Sequence, residues 1–401
     1  WEVKRLGAIL QERNEVNNPI QTTSILSLTN NRGVIPYSEK GNQGNKAKDD
    51  LTGYKIAHIG DIVLNSMNVI IGSVGLSNYY GAVSPVYYML FPRNNIETNI
   101  QYYNYLFQTT AFQQSLRGYG NGILEIRMRI QMQKLKTVLL PVPTFLEQSN
   151  ITVYLDASLS KLNILLSKTR SSIEEYKKLK QAVITQAVTK GVRGKRETKD
   201  SKIEWLGQIP KEWKCQKLKY TIFPQNRPVF NTDEIITCFR DGIVTLRKNR
   251  REDGFTVSFT EHGYQGVEIG DLVIHGMDAF AGAIGCSDSR GKTTPVVHVC
   301  TTTGNNRFFM FFLRYMAYSN IFMDFSNGIR IRSSDFRNFT KLGIFDVLVP
   351  PIAEQNEIAD YLDAKCAEID GLIAKKEQLV KELESYKKSL IYEIVTGKRE
   401  V

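Results

Sequence analysis

The chain has 401 residues, a formal net charge of +11 and a pI of about 9.2. Its length exceeds what one ordinary hydrophobic core supports and predicts two or three domains. With 42% hydrophobic and 23% charged residues the composition is that of a globular protein, and the basic excess points to an anionic partner, nucleic acid before a membrane surface.

From the N-terminus, "WEVKRL" at 1–6 is echoed by Trp213–Leu218, the end of "WLGQIPKEWKCQKL" at 205–218. The counterpart of Trp205–Glu212 does not precede Trp1, which leads to the expectation that residues are missing there. The run "IGDIVLNSMNVIIGSVGLSNYYGAVSPV" from Ile59 returns as "IGDLVIHGMDAFAGAIGCSDSRGKTTPV" from Ile269. Alternating apolar residues broken by Gly and Asn or Asp predict short strands and turns in both. An aromatic, helix-like run follows in each half, at 101–116 and 306–323, and then "NGI" at 121–123 and 327–329.

The clearest repeat comes next. "EQSNITVYLDA" at 147–157 matches "EQNEIADYLDA" at 354–364, within an ungapped stretch of equivalence from Val142 to Gly191. Both copies predict long helices. Thr144 with Glu147 forms a capping box at the first start, and Gly191 and Gly397 supply stops. About 45 residues at about 1.5 Å each gives roughly 65–70 Å. The apolar spacing predicts a seam of Leu362, Ile369, Leu372, Leu379, Leu383, Tyr386 and Leu390 in the second copy. In the first it predicts Leu155, Leu162, Leu165, Ser172, Tyr176, Leu179 and Val183. Ser158, Thr169, Lys365 and Lys376 interrupt this coiled-coil pattern, and mutual packing of the two helices is the economical way to bury it. Between the halves, "TKGVRGKRETKDSK" at 189–202 predicts an exposed linker.

No catalytic constellation emerges. "GCSDSRGKTT" at 285–294 has five residues between Gly285 and Gly291 where a phosphate loop needs four. "GYGNG" at 118–122 lacks the strand–turn–helix setting of a dinucleotide site. Asp363 and Lys365 fit a solvated or partner-facing surface. Five cysteines without a C-x-x-C pair and four scattered histidines argue against a disulfide framework and a zinc or His-based metal site, and for a reducing cytoplasm. The aromatic run at 307–318 is too short to span a bilayer, so no membrane segment is expected.

What remains is basic display. Arg247, Lys248, Arg250 and Arg251 cluster in "RKNRRED". Arg127 and Arg129, and equivalently Arg330 and Arg332, alternate, so in extended chain each pair shares a face. With Arg32, Lys46 and Lys48 they form the candidate DNA-binding set, able to meet phosphates or guanine edges.

These features together resemble the DNA-specificity subunits of type I restriction–modification systems. The residues that carry the resemblance are the paired Val-Pro…Glu-Gln…Ile…Tyr-Leu-Asp-Ala helices, Thr396-Gly397-Lys398 and "WLGQIPKEW" at 205–213; the match spans essentially the whole chain, with Thr189-Lys190-Gly191 departing from Thr-Gly-Lys. The resemblance implies an α+β fold in which two mixed target-recognition domains, 1–142 and 205–349, are separated by two long spacer helices, 143–190 and 350–397. A linker occupies 191–204, and the helices pair as an antiparallel coiled coil with pseudo-twofold symmetry. It implies a non-catalytic chain whose domains each read half of a split double-stranded DNA site. Two methyltransferase subunits would dock on the helices and a restriction or motor subunit would join them. S-adenosylmethionine, ATP and Mg would belong to those partners, with no cofactor in this chain. Helix pairing and partner binding fall to Glu147, Gln148, Tyr154, Leu155, Leu162, Glu354, Gln355, Tyr361, Leu362, Ile369, Leu379 and Leu383. Two alternatives stay open: a coiled-coil scaffold that binds no DNA, and the specificity part of a fused restriction–methylation enzyme.

Overall fold

The computed structural model describes residues 1–30, 32–41, 46–121, 129–250, 262–324 and 336–401. They divide into two compact units, Trp1–Arg170 with Gln378–Val401, and Ser171–Glu377. The first unit therefore draws on both ends of the chain.

In the first unit an antiparallel sheet runs in the order Leu10–Arg13, Tyr87–Pro92, Ile62–Asn65, Val74–Leu76. The second unit repeats it as Ile222–Pro224, Val297–Thr302, Leu272–His275, Ile284–Cys286. Even the register recurs: Val63 pairs with Met89, and Val273 with Val299. The central strands read as unbroken apolar runs because both sheet faces are covered. Ile62, Leu64 and Leu90 face a core of Tyr102, Tyr103 and Phe107, while Val63 and Met89 face the hairpin Leu26–Thr29/Gly33–Pro36. In the second unit Leu272, Ile274 and Cys300 meet Phe308, Phe309 and Phe312, while Val273 and Val299 meet the hairpin Ile236–Cys238/Val244–Leu246.

The "IGD" turn holds each sheet in shape. Gly60 and Gly270 have φ +87° and +84°, a conformation that disfavours a side chain. The next residue, Asp61 or Asp271, is buried, accepts the turn's own N–H from His58 or Glu268, and pairs with Arg13 or Arg227. The aromatic helices start at Asn caps, Asn99 and Asn305, whose side chains accept from Gln101 N and Arg307 N. The run at 101–116 is two helices, Ile100–Gln108 and Thr110–Ser115, because the Thr109 hydroxyl caps a new start by accepting from Phe112 N.

The long helices span Phe145–Lys190 and Ile352–Val395. At the first start, Thr144 N donates to Glu147 Oε2 at 2.7 Å and Glu147 N to Thr144 Oγ1 at 3.3 Å, a closed capping box. Gly191 and Gly397 follow the two ends in the left-handed region. Within each unit the two helices run antiparallel. In the first, Arg170 pairs with Glu384 and Lys387 donates to Asn163; in the second, Lys180 pairs with Asp370 and Lys376 lies over Tyr176.

The buried stripe differs from the expected seam. Leu165, Leu179, Leu379 and Tyr386 are exposed. Ile151, Leu155, Leu159, Leu166, Thr169 and Ile173 are buried on the first helix, and Ile358, Leu362, Cys366 and Ile369 on the second. These positions step by three or four, with one step of seven between Leu159 and Leu166, as a heptad seam allows. Each stripe ends in a globular core. Ile151, Leu155 and Leu159 join Leu390, Ile391 and Ile394 in the first unit; Ile184, Ala187 and Val188 join Ile358, Leu362 and Cys366 in the second. The charged segment 191–204 is largely exposed but carries the strand Thr198–Asp200, paired with Gln208–Pro210.

Leu155→Ala and Leu362→Ala should each lower unfolding stability by about 2–5 kcal/mol, the usual result of truncating a buried leucine. Leu165→Ala and Leu379→Ala should stay within about 0.5 kcal/mol. Urea titrations of the four variants distinguish this stripe from the seam expected from the sequence, which requires losses at Leu165 and Leu379 as well.

Candidate nucleic-acid interface

The hairpin of the second unit closes on the five-residue turn 239–243, where Phe239 N donates to Ile243 O and Gly242 has φ +88°. Beside it the helical turn Arg247–Asn249 follows the second hairpin strand. Between the hairpin and the end of the strand Leu272–His275 lies an open cavity of about 660 Å³, lined among others by Thr237, Arg240, Arg247, Arg250, His275 and Asp278. Arg250 grips Asp241 with both terminal nitrogens, and its guanidinium carbon lies 4.5 Å from the Phe239 ring centroid. Burial pushes the Asp241 carboxyl up, but hydrogen bonds from Arg250 and Ile243 N, with the Arg250 charge, hold it below the usual carboxylate range. Arg247 Nε donates to Thr237 Oγ1 at 3.2 Å, and Arg240 donates through one nitrogen to Asp278 Oδ1 at 3.0 Å.

His275 lines this cavity, and His298 lies opposite Ile274 on the neighbouring strand. His275 Nδ1 accepts from Met277 N and Asp278 N, and His298 Nε2 lies 2.6 Å from Phe336 O, to which it donates. Burial pushes both below the ordinary histidine value. In the first unit the equivalent roles fall to Asn65, whose Oδ1 accepts from Met67 N, and to Tyr88, whose hydroxyl donates to Ile130 O. The backbone constraint is kept while the side chain changes.

Of the basic residues singled out from the sequence, Arg247 and Arg250 line the cavity and Lys248 pairs with Glu234 outside it. Arg32 pairs with Glu39, while Lys46 and Lys48 are exposed. Arg129 edges a separate cavity of about 450 Å³ in the first unit with Glu12, Tyr88 and Lys136. Arg127, Arg251, Arg330 and Arg332 lie outside the described residues. Arg240, Asp241 and Asp278 were not anticipated. Aligning the two turns position by position would have exposed Arg240, since the first unit has Asn30 there.

The helix-start residues have an internal role. Gln148 Oε1 accepts from Asn99 N and its amide donates to Pro143 O; Gln355 repeats this with Asn305 N and Pro350 O. Glu147 accepts from Trp1 Nε1, and Glu354 accepts from Trp213 Nε1 and pairs with Arg196. Gln148, Glu354 and Gln355 are buried, and their hydrogen bonds bolt each helix to its own unit. Leu155, Leu362 and Ile369 are buried, Tyr154, Leu162 and Leu383 are half-buried, and Tyr361 and Leu379 are exposed. Among the described residues no group of His, Cys, Asp or Glu could hold a metal ion, and no helix is long and apolar enough to cross a membrane.

The fold thus defines a class: a duplicated chain of two mixed helix-and-sheet units, each tied to long antiparallel helices. A chain from a structure of type I restriction–modification complex assembly and conformational transition superposes with a TM-score of 0.69 at 12% identity, covering 98% of this chain and 97% of that one. The HsdS subunit from Thermoanaerobacter tengcongensis gives 0.53 at 13% identity, covering 100% and 97%. In sequence the chain is 25% identical over 428 residues to a candidate type I restriction enzyme MjaX specificity subunit of Methanocaldococcus jannaschii, covering 99% of this chain and 93% of that one. It is 25% identical over 342 residues to the MjaVIII specificity subunit of the same organism, covering 79% and 74%. No family model matches the chain. The chain is thus similar in sequence to type I restriction specificity subunits and shares its fold with these solved structures.

Because His275 and His298 titrate lower in the folded chain than in the unfolded one, the unfolded state binds more protons as pH falls below about 6.5. Stability of the second unit should drop through that window and be intact above it. Hydrogen exchange at pH 7 and pH 5.5 should show residues 262–324 losing protection before 46–121, and the paired change His275→Asn, His298→Tyr should remove the difference.

Proposed function

We propose that the chain is the DNA sequence-specificity subunit of a type I restriction–modification complex and performs no catalysis itself. Each unit reads one half of a bipartite double-stranded DNA site, and the long helices dock two methyltransferase subunits. The partners, with a restriction or motor subunit, supply S-adenosylmethionine, ATP and Mg and act in the cytoplasm. The observation that carries this reading is the duplication itself. Two units share strands, register, buried Asp–Arg plugs and helix brackets, yet differ in the side chains around the hairpin turn. A structural duplication with divergent polar surfaces suits two related but different half-sites. The net charge of +11 suits phosphate contacts.

Co-expression with the neighbouring methyltransferase subunit in a methylation-free host, followed by mapping of modified adenines, should give a split motif with a fixed gap. A stable complex without any modification would favour the scaffold alternative. Exchanging residues 205–348 for those of a homologue should change one half-site and leave the other; change in both would refute independent reading. DNA affinity of the complex should fall steeply as salt rises from 50 to 200 mM, the signature of released counterions.

A further inference from the structure

The two hairpins close on equivalent pairs, Cys238↔Val244 and Leu28↔Val34, so position 240 corresponds to position 30. At this position the two units diverge in kind. Arg240 has a side chain 67% exposed at the cavity mouth, tied through one terminal nitrogen to Asp278, which is 31% exposed. The equivalent positions in the first unit are Asn30 and Asn68. The neighbouring arginine is committed differently: both terminal nitrogens of Arg250 are on Asp241 and its face is on Phe239. Arg240 Nη1 has no partner among the described residues, and Nη2 spends one of its two hydrogens on Asp278, so the edge formed by Nη1 and the second Nη2 hydrogen stays open. A guanidinium anchored at one corner by a carboxylate holds its plane while leaving donors to present. Guanine displays two acceptors, O6 and N7, in the major groove, and a fixed pair of N–H donors selects it over the other bases.

We propose that Arg240 is a specificity-determining residue that reads a guanine in the half-site of the second unit, with Asp278 as its positioning residue. The first unit, with Asn30 and Asn68 in their place, reads its half-site without this pair. The inference rests on the reading of the units as double-stranded-DNA binders. It separates from that reading because it concerns one base in one half-site.

The test uses the full chain co-expressed with its methyltransferase subunit and methylome mapping of wild type, Arg240→Lys, Asp278→Asn, Asp278→Glu and the double variant Arg240→Asn/Asp278→Asn. The expected wild-type motif has a guanine in the half-site assigned to the second unit by the domain exchange. Arg240→Lys and the double variant relax that position by roughly 5- to 150-fold and leave the other half-site unchanged. Because the other half-site must still be read for any modification, its retention shows that the variants fold. Asp278→Asn relaxes the position less and Asp278→Glu restores the preference, an outcome a general packing role would not give. Absence of guanine from that half-site, or an unaltered motif in the double variant, overturns the proposal. So does an even loss across all sites with a salt dependence reduced by one contact, which would make Arg240 a phosphate ligand. Wild type that yields no motif at all overturns the DNA reading beneath it.

Discussion

The buried hydroxyl of Tyr102 donates to the carbonyl of Val395, 293 residues further along the chain, and the packing around that bond organises the molecule. A helix of 44 or 46 residues carries an apolar stripe that it cannot bury against itself. Here the buried residues near the ends of each helix belong to the globular core of the unit in which they lie. Neither core is complete without side chains from two helix ends that are remote in sequence. Such non-local closure costs chain entropy, which grows only slowly with loop length, and the packed aromatic clusters offset it.

The duplication shows which parts of the scaffold tolerate change. The Asp in each "IGD" turn, the Gln at each helix start and the indole-to-carboxylate bond recur with the same partners. All but the exposed Trp1–Glu147 bond satisfy a buried or partly buried donor that would otherwise be left without an acceptor. The residues around the hairpin turn face solvent and have no such obligation, so Arg240 can stand where the first unit has Asn30. At intermediate positions only the hydrogen bond is kept: His275 and Asn65 both accept from the following turn, and His298 and Tyr88 both donate to a carbonyl. What differs between the units is thereby concentrated where a ligand can reach it.

Much of this is legible in the sequence because repetition amplifies weak local signals. The helix boundaries, the Thr144–Glu147 capping box and the Gly stops follow from local rules that tertiary structure does not override. The exact stripe is less legible. Counting leucines places Leu165 and Leu179 inside, whereas Thr169, Cys366 and the partly covered Lys376 occupy the inward positions. A helix face is defined by geometry, and a long aliphatic stem or a back-bonded threonine, like Thr169 to Leu165 O, can lie where leucine is expected. The Glu-Gln pairs show the converse limit. They are conspicuous in the sequence and invite a partner-docking role, but the glutamines bond to backbone about 50 residues away and the glutamates to indoles 146 and 141 residues away, which no periodicity reveals.

The way the first core is closed also bears on how the chain is made. Domains emerging from a ribosome ordinarily fold in order, the N-terminal one first. Here the second unit is contiguous, Ser171–Glu377, while the first awaits Gln378–Val401. Its sheet and aromatic helix are synthesised early, yet the surface that receives Leu390, Ile391 and Ile394 stays uncovered until translation reaches them. All residues of the later unit are thus synthesised before the last residues that the earlier unit needs.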